Sequence, residues 1–403
     1  MDIPSPDELL DRLRRLPAGR TLLERIPAGA GVFLVGGAVR DLLLGRDPTE
    51  LDLVVEGDAL ALARQLGGSV LANDRFGTST VRLDGHRYDI ATARRETYAR
   101  PGALPEVTPA ALAEDLRRRD FTVNTVAMAL GGERAGRLVA VPGALDDLKQ
   151  RMLRVLHDAS FIDDPTRLLR VARYAGRLGF ALEPHTRELA QAAVRAGALE
   201  TVSGPRIGSE LRLLARERHP LAAFAVLGEL GLDRAIDARF GLRDPEPARR
   251  ALQLLPSDGR ADLLVVAAAA ERVPRADLVD LLDRLAFEAS DRVRIVAAAT
   301  EAKALAPKLV AARTPAEIAA AAHAAPPELV ALAGGHGAGE AASAWLGRLR
   351  HVRLEIDGGD LLAEGVPQGP LIGRGLRAAL DAKLDGRVAG REAELAEALE
   401  AVR

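Results

Sequence analysis

The chain has no cysteine among its 403 residues, which excludes a disulfide framework and any cysteine-based metal site. Its seven histidines are scattered, and no group of them has metal-ligand spacing. Lysine is almost missing: only Lys149, Lys303, Lys308 and Lys383 stand against 51 arginines. Arginine suits bidentate phosphate contacts, but a ratio this lopsided, beside abundant Ala, Leu and Gly, reads as genome composition before it reads as function. No run of about twenty apolar residues is free of charge, and the first residues lack a charged-then-apolar signal. No membrane partner and a cytoplasmic location are therefore expected.

What is present is enough for a folded, multi-domain protein. A length of 403 residues suits two to four domains, and 48% hydrophobic residues exclude a largely disordered chain. The net charge of -2 decides little, because a nucleic-acid binder can be near neutral if its basic residues cluster.

The most informative stretch runs from residue 32 to 55. Val32 to Val35 is a short apolar run, then Gly36-Gly37 turns into a helical pattern over Ala38 to Leu44. Two glycines let backbone N–H groups approach an anion at a helix N-terminus, so phosphate is expected there, with Arg40 and Arg46 as cationic candidates. Leu51, Leu53, Val54 and Val55 read as a buried strand whose period of two points Glu50 and Asp52 to the same face. Adjacent carboxylates repel unless cations sit between them, which predicts a divalent metal on Glu50 and Asp52.

In this order the parts resemble the nucleotidyltransferase signature of class II CCA-adding enzymes and bacterial poly(A) polymerases, within the polymerase-beta-like superfamily. There Gly-Gly-x-Val-Arg-Asp precedes Asp-x-Asp; here Glu50 replaces the first metal aspartate, which keeps the charge and lengthens the reach by a methylene. The resemblance implies Mg2+ as cofactor and Glu50, Asp52 and Asp89, in Tyr88-Asp89-Ile90, as catalytic residues. Phe76-Gly77-Thr78 matches a short turn near the family's active site. Residues 96 to 109, with Pro101-Gly102 and Pro105, match its flexible loop, and their Pro and Gly content predicts no regular structure. Arg118-Arg119-Asp120-Phe121-Thr122-Val123-Asn124 resembles the motif that contacts nucleotide, making Arg119, Asp120 and Asn124 binding candidates and Thr122 a backbone anchor.

Asp163-Asp164-Pro165-Thr166-Arg167-Leu168-Leu169-Arg170 is similar to the family's acidic-Asp-Pro-x-Arg motif and opens a helical pattern. Asp at the start, Pro in the first turn and an Asp164/Arg167 spacing of three are also ordinary helix devices. The functional reading rests on chemistry: cytosine and adenine each present an amino donor beside a ring-nitrogen acceptor, whereas uracil and guanine present the reverse. Asp164 only accepts and Arg167 only donates, so together they match C or A and leave U or G unpaired. Arg170 joins them as a nucleotide-binding candidate.

Apolar runs at 32–35, 51–55, 69–72, 79–83 and 86–91 alternate with helical patterns, and strand signals cease after Asp163. The fold class expected is α+β: a small polymerase-beta-like domain, a mixed sheet with helices, followed by an all-α region. The divisions expected are a catalytic head over 1–140, a base-reading neck over 141–215, a helical body over 216–340 and a tRNA-binding tail over 341–403. Arg206 to Arg212 resembles the last neck motif, with a packing role. Residues 299–325 suggest a helix pair, Gly334 to Gly339 a looser junction, and the Gly-Pro-rich 357–373 a tail that grips RNA phosphates.

The function implied is transfer of CMP and AMP from CTP and ATP to the tRNA 3′ end without a nucleic-acid template. The tRNA acceptor end is the partner. The alternatives are a poly(A) polymerase, an enzyme adding only CC or only A, and a silent RNA-binding paralogue.

Overall fold

The computed structural model describes residues 3–27, 31–73 and 77–403, with the side chain of Asn73 outside that description. The chain divides into two compact units, 1–203 and 204–403.

The first unit opens with α1 (Pro6–Arg15) and α2 (Pro17–Arg25). Ser5 and Glu8 cap α1 reciprocally: the Ser5 N–H donates to the Glu8 carboxylate and the Glu8 N–H to the Ser5 hydroxyl. Then follow β1 (Val32–Val35), α3 (Gly37–Leu43), β2 (Leu51–Val55), α4 (Ala59–Leu66), β3 (Ser69–Asn73), β4 (Thr78–Leu83) and β5 (His86–Thr92). Each run of apolar residues expected to be a strand is one. Next come β6 (Arg94–Thr97), β7 (Glu106–Pro109), α5 (Leu112–Arg117), β8 (Val126–Ala129) and β9 (Leu138–Ala140). Seven strands form one sheet in the order β3-β4-β5-β2-β1-β8-β9. β2 and β5 run parallel, with Asp52 in register with Asp89; the other neighbours are antiparallel. Val35, Val54, Ala93, Leu112, Leu116 and Ala127 make a core that packs α5 against the sheet.

Strands β6, β7 and β8 of this unit escape the sequence pattern. All four residues of β8 are buried, so it shows no apolar–polar alternation, and its alanines and methionine are weak strand formers. The loop expected over 96–109 is irregular over 98–105, but its ends belong to a hairpin: β6 and β7 pair antiparallel from Arg94↔Pro109 to Thr97↔Glu106. The expectation holds in the connection, where Pro101-Gly102 lies with Gly102 at φ +70°, and fails at the two ends, where Pro109 sits at a strand terminus.

The segment that carries Asp164 and Arg167 follows α6 (Ala144–Gln150) and β10 (Met152–Leu153). A four-residue α7 (Ser160–Asp163) breaks at Asp164-Pro165 before α8 (Thr166–Leu178) begins. Strand structure does not end at Asp163, since β11 (Ala181–Leu182) pairs parallel with β10; α9 (Pro184–Arg195) follows. Phe76 of the expected Phe76-Gly77-Thr78 turn lies outside the described residues, while Thr78 opens β4.

The second unit is helical throughout. It begins with Gly204–Ala215, a segment expected to belong to the neck. The alanine-rich stretch forms two helices, Ala289–Ala311 and Pro315–Ala321. At the junction expected over Gly334–Gly339 the chain kinks between the helices Pro327–Ala333 and Gly339–Gly347, with Gly337 at φ +117°, outside the helical range. These glycines serve close packing. A Cβ on Gly335 would lie 2.1 Å from the Pro247 carbonyl oxygen, and one on Gly334 would lie 2.5 Å from Leu254 Cδ1. Residues 357–373 cap and pack a three-helix end, where Ile356, Leu361, Val366, Ala379 and Ala398 form the core. No helix among the described residues is long and apolar enough to cross a membrane.

Candidate active site

At the end of β1 the chain turns through Gly36, whose φ of +64° puts it in the left-handed region that favours glycine. A Cβ there would lie 3.0 Å from Nη1 of Arg119, so the missing side chain is what lets that guanidinium stand over the turn. The Gly36 N–H is engaged, donating to the Val126 carbonyl at 3.3 Å. Gly37 opens α3, and both glycines face a cavity of about 300 Å³.

That cavity gathers residues from five separate segments. Asp52 of β2, Glu96 and Tyr98 of the hairpin region, Arg118, Arg119, Asp120 and Asn124 from the segment after α5, and Asp164, Arg167, Arg170 and Tyr174 line it with the two glycines. Nine of the thirteen residues named from sequence meet here. Arg40, Arg46, Glu50 and Asp89 do not line it.

Each absence has a reason. Arg40 is buried beneath the site and spends its guanidinium inward, donating to Asn124 Oδ1 at 2.7 Å and to Asp41 Oδ1 at 2.9 Å, 5.6 Å from the Tyr174 ring centroid. It orients Asn124 and is not turned to a phosphate. Arg46 is exposed beyond the end of α3. Glu50 precedes β2, is exposed, and lines a second cavity of about 480 Å³ together with Asp52, Arg87 and Asp89. Asp52 alone of the three carboxylates borders both cavities.

Asp89 is already partnered. It accepts from Thr80 Oγ1 at 2.5 Å and forms an ion pair with Arg87 at 2.9 Å. Burial, and then the charges of Glu50 and Asp89, push the Asp52 carboxyl up to about 6, against the weaker opposing pull of Arg119 and Arg87. A carboxylate in that state calls for positive charge. Among the described residues, no group of three His, Cys, Asp or Glu side chains is assembled around a metal position. Carboxylate oxygens are nonetheless the usual ligands of a hard divalent cation, and Asp52 with Glu50 fits that donor set.

The walls form a connected ionic network. Arg170 donates to Asp120 Oδ2 from Nε at 2.9 Å and Nη2 at 2.7 Å, and Asn124 Nδ2 donates to Asp120 Oδ1 at 2.9 Å. Burial opposes the Asp120 charge, but Arg170 and these hydrogen bonds overcome it and hold the carboxyl down at about 2. Tyr174 stands amid three guanidiniums, those of Arg40, Arg170 and Arg173, all within 6 Å of its ring centroid, and meets Phe121 edge-on. Asp164 Oδ1 accepts from the Thr166 hydroxyl at 2.6 Å. Arg167 is buried and donates from Nη1 to Ser160 Oγ and from Nη2 to the Arg118 carbonyl, each at 2.7 Å. Thr122, expected to anchor backbone, donates to Asp147 Oδ2 at 2.7 Å, away from the cavity lining.

Sequence reasoning passed over Asp115, Glu96, Tyr98, Arg118 and Tyr174. Two signals were available. Arg167, Arg170 and Tyr174 recur at helical spacing on one face of α8, and Asp115 precedes Arg118 and Arg119 by three and four residues. Nothing in the sequence marks Glu96, whose partner Arg118 lies twenty-two residues away.

Comparison with known proteins gives concordant similarities. The Poly A polymerase head domain family matches residues 32–154. An A-adding tRNA nucleotidyltransferase of Geobacter sulfurreducens is 44% identical over 210 residues, 51% of this chain and 24% of that protein. A CC-adding tRNA nucleotidyltransferase of Deinococcus radiodurans is 40% identical over 242 residues, 57% of this chain and 63% of that one. The chain thus spans less than two thirds of the length of these curated relatives. A solved structure of the Thermotoga maritima CCA-adding enzyme complexed with tRNA is similar over 100% of both chains, with a TM-score of 0.78 and 28% identity.

Proposed function

We propose that the chain is a member of the family of class II CCA-adding enzymes and bacterial poly(A) polymerases, and that it adds CMP and AMP, from CTP and ATP, to the 3′ end of tRNA without a nucleic-acid template. One observation carries the reading: a single cavity joins the Asp52 carboxylate to the Asp164/Arg167 acceptor–donor pair.

The residues divide the work by chemistry. Arg119, over the Gly36 turn, and Arg170 supply positive charge for a triphosphate. Asp164 presents an acceptor and Arg167 donors to the Watson–Crick edge of the base, which fits C and A and mismatches U and G. Asp120, Asn124 and Arg40 hold this wall in place. Glu50 and Asp52 would hold the divalent cation, proposed to be Mg2+; when bound it supplies charge stabilisation at the transferring phosphorus and acidifies the primer hydroxyl. Asp52, bordering both cavities, is then the residue between incoming nucleotide and the primer's end. Asp89 supports Asp52 in register and is turned to Arg87. The tRNA acceptor arm, recognised by shape and backbone, would lie along helical surfaces, with 216–340 as body and 341–403 as tail. A protein working on tRNA in this way would act in the cytoplasm.

A second reading is addition of A alone. It is favoured by identity over comparable stretches of the chain, 44% to the A-adding relative against 40% to the CC-adding one. One experiment separates the readings. Transcripts ending in the discriminator base, in C and in CC are offered CTP, ATP or both, and products are sized at single-nucleotide resolution. Full addition predicts two residues from CTP, then one from ATP. Extension only of the CC transcript would establish A addition, arrest at CC a CC-adding enzyme, long A tails a poly(A) polymerase, and no incorporation a silent RNA binder.

A further inference from the structure

Asp115 sits in the first turn of the short helix α5 and is fully buried, yet it lines neither of the two cavities described above. Both of its oxygens are used. Oδ1 accepts from Arg118 Nε at 2.9 Å and Nη2 at 2.7 Å, and from the Arg94 backbone N–H at 3.3 Å. Oδ2 accepts from Arg119 Nε at 3.3 Å and Nη2 at 2.8 Å. Ordinary i,i+3 and i,i+4 pairs on a helix surface are solvated and weak. Here one desolvated carboxylate holds two guanidiniums from adjacent residues, which would otherwise repel each other. Burial works against its charge, but Arg119 and Arg118 hold the carboxyl below its ordinary value.

The two guanidiniums lead to different partners around the cavity. Arg119 projects Nη1 over the Gly36 turn, on the side of Asp52. Arg118 sends Nη1 to Glu96 Oε1 at 2.7 Å, while its carbonyl receives Arg167 Nη2 at 2.7 Å. Resting on the nucleotide-binding reading above, we propose that Asp115 is a positioning residue that sets the phosphate side and the base-reading side of the nucleotide site together, through Arg119 and Arg118. Preorganised charges bind and discriminate without reordering cost; freed of Asp115, the two arginines would have to be ordered by each incoming nucleotide.

The test is a thermodynamic cycle on the full chain. CTP affinity is measured by titration calorimetry, and kcat/KM for CTP and UTP on a tRNA transcript, for wild type, Asp115→Asn, the Arg118→Ala/Arg119→Ala pair and the triple variant. Asp115→Asn is expected to weaken CTP binding by about tenfold or more and to narrow the CTP/UTP ratio. In the background lacking both arginines the same change should do nothing further to CTP affinity. Losses that simply add, or a wild-type CTP affinity in a folded Asp115→Asn protein, overturn the proposal. If circular dichroism shows Asp115→Asn unfolded, Asp115→Glu replaces it: this variant keeps the charge but displaces both arginines by a methylene, so CTP binding should weaken several-fold, and unchanged affinity overturns the proposal. Wild-type protein that binds CTP but extends no RNA would defeat the functional reading while leaving the cycle to decide the role of Asp115.

Discussion

Asp52 and Asp89 stand in register on the parallel strands β2 and β5, yet only Asp89 has an arginine closed upon it, Arg87 at 2.9 Å. The pairing leaves Asp52 as the carboxylate whose charge is least compensated, at the point where the two cavities meet.

A pH-dependent stability follows. The folded Asp52 carboxyl titrates near 6, above its ordinary 3.8, so the folded state holds the proton more tightly than the unfolded chain. That contribution is fully present below about pH 4 and is lost as pH rises through about 6, where the charge becomes a cost. Asp52→Asn should therefore be more stable than wild type near neutral pH without divalent cations, by on the order of 1–3 kcal/mol after solvent screening, with the gap closing by about pH 4. Urea unfolding at the two pH values checks this; equal midpoints at neutral pH would refute the unmet charge.

The same position should be indispensable to turnover. Asp52→Ala is expected to lower nucleotide addition by about a hundredfold or more with tRNA affinity nearly unchanged, because charge stabilisation acts on the transition state. Glu50 is exposed and precedes the strand, so Glu50→Asp has room to re-aim and should keep a rate within about threefold of wild type or improve it. Single-turnover assays with CTP and a filter-binding measurement for tRNA distinguish the two; near-normal turnover of Asp52→Ala would remove Asp52 from the chemistry.

Replacing the acceptor of the proposed base-reading pair should cost selectivity before speed. With Asp164→Ala, CTP and ATP lose a partner for their amino group while UTP and GTP lose a penalty, narrowing the ratio of kcat/KM values by roughly 10- to 100-fold. The comparison needs all four nucleotides. A parallel fall in all of them would make Asp164 a turn residue acting through Thr166.

The glycines of the second unit make a prediction about fold alone. Gly335→Ala forces a methyl to within 2.1 Å of the Pro247 carbonyl oxygen, so a backbone shift is required and a loss of about 1–3 kcal/mol is expected. Gly337 also sits in this turn, at φ +117°, where an added Cβ would meet no atom within 4 Å, so the cost of a side chain there would be conformational. Thermal unfolding monitored for the Gly335→Ala chain, with CTP affinity as control, tests the close crossing; an unchanged midpoint would show that the helices can part freely.

Much of the first unit was readable because local chemistry and tertiary role agree there. The edges of β1, β2, β4 and β5 follow runs of apolar residues between turn-formers, and Gly36 carries its own backbone requirement. Asp164 and Arg167, singled out by donor and acceptor logic, both line the cavity. Strand β8 and the hairpin of β6 and β7 were not readable, since one is buried on both faces and the other takes its order from partners such as Arg118, distant in the chain.

By itself, the order of residues determined which chemistry is available: glycines where φ must be positive, a carboxylate at Asp52, an acceptor and a donor three residues apart at the start of α8. Only the tertiary structure decided which of these groups face one another. Arg40 and Arg119 look equally suited to a phosphate in sequence, yet burial against Tyr174 and Asn124 turns the first inward, while Asp115 aims the second over the Gly36 turn. A guanidinium's reach is several ångströms, and the side on which its anion is buried sets its direction; that choice rests on contacts between distant segments, which no local pattern encodes.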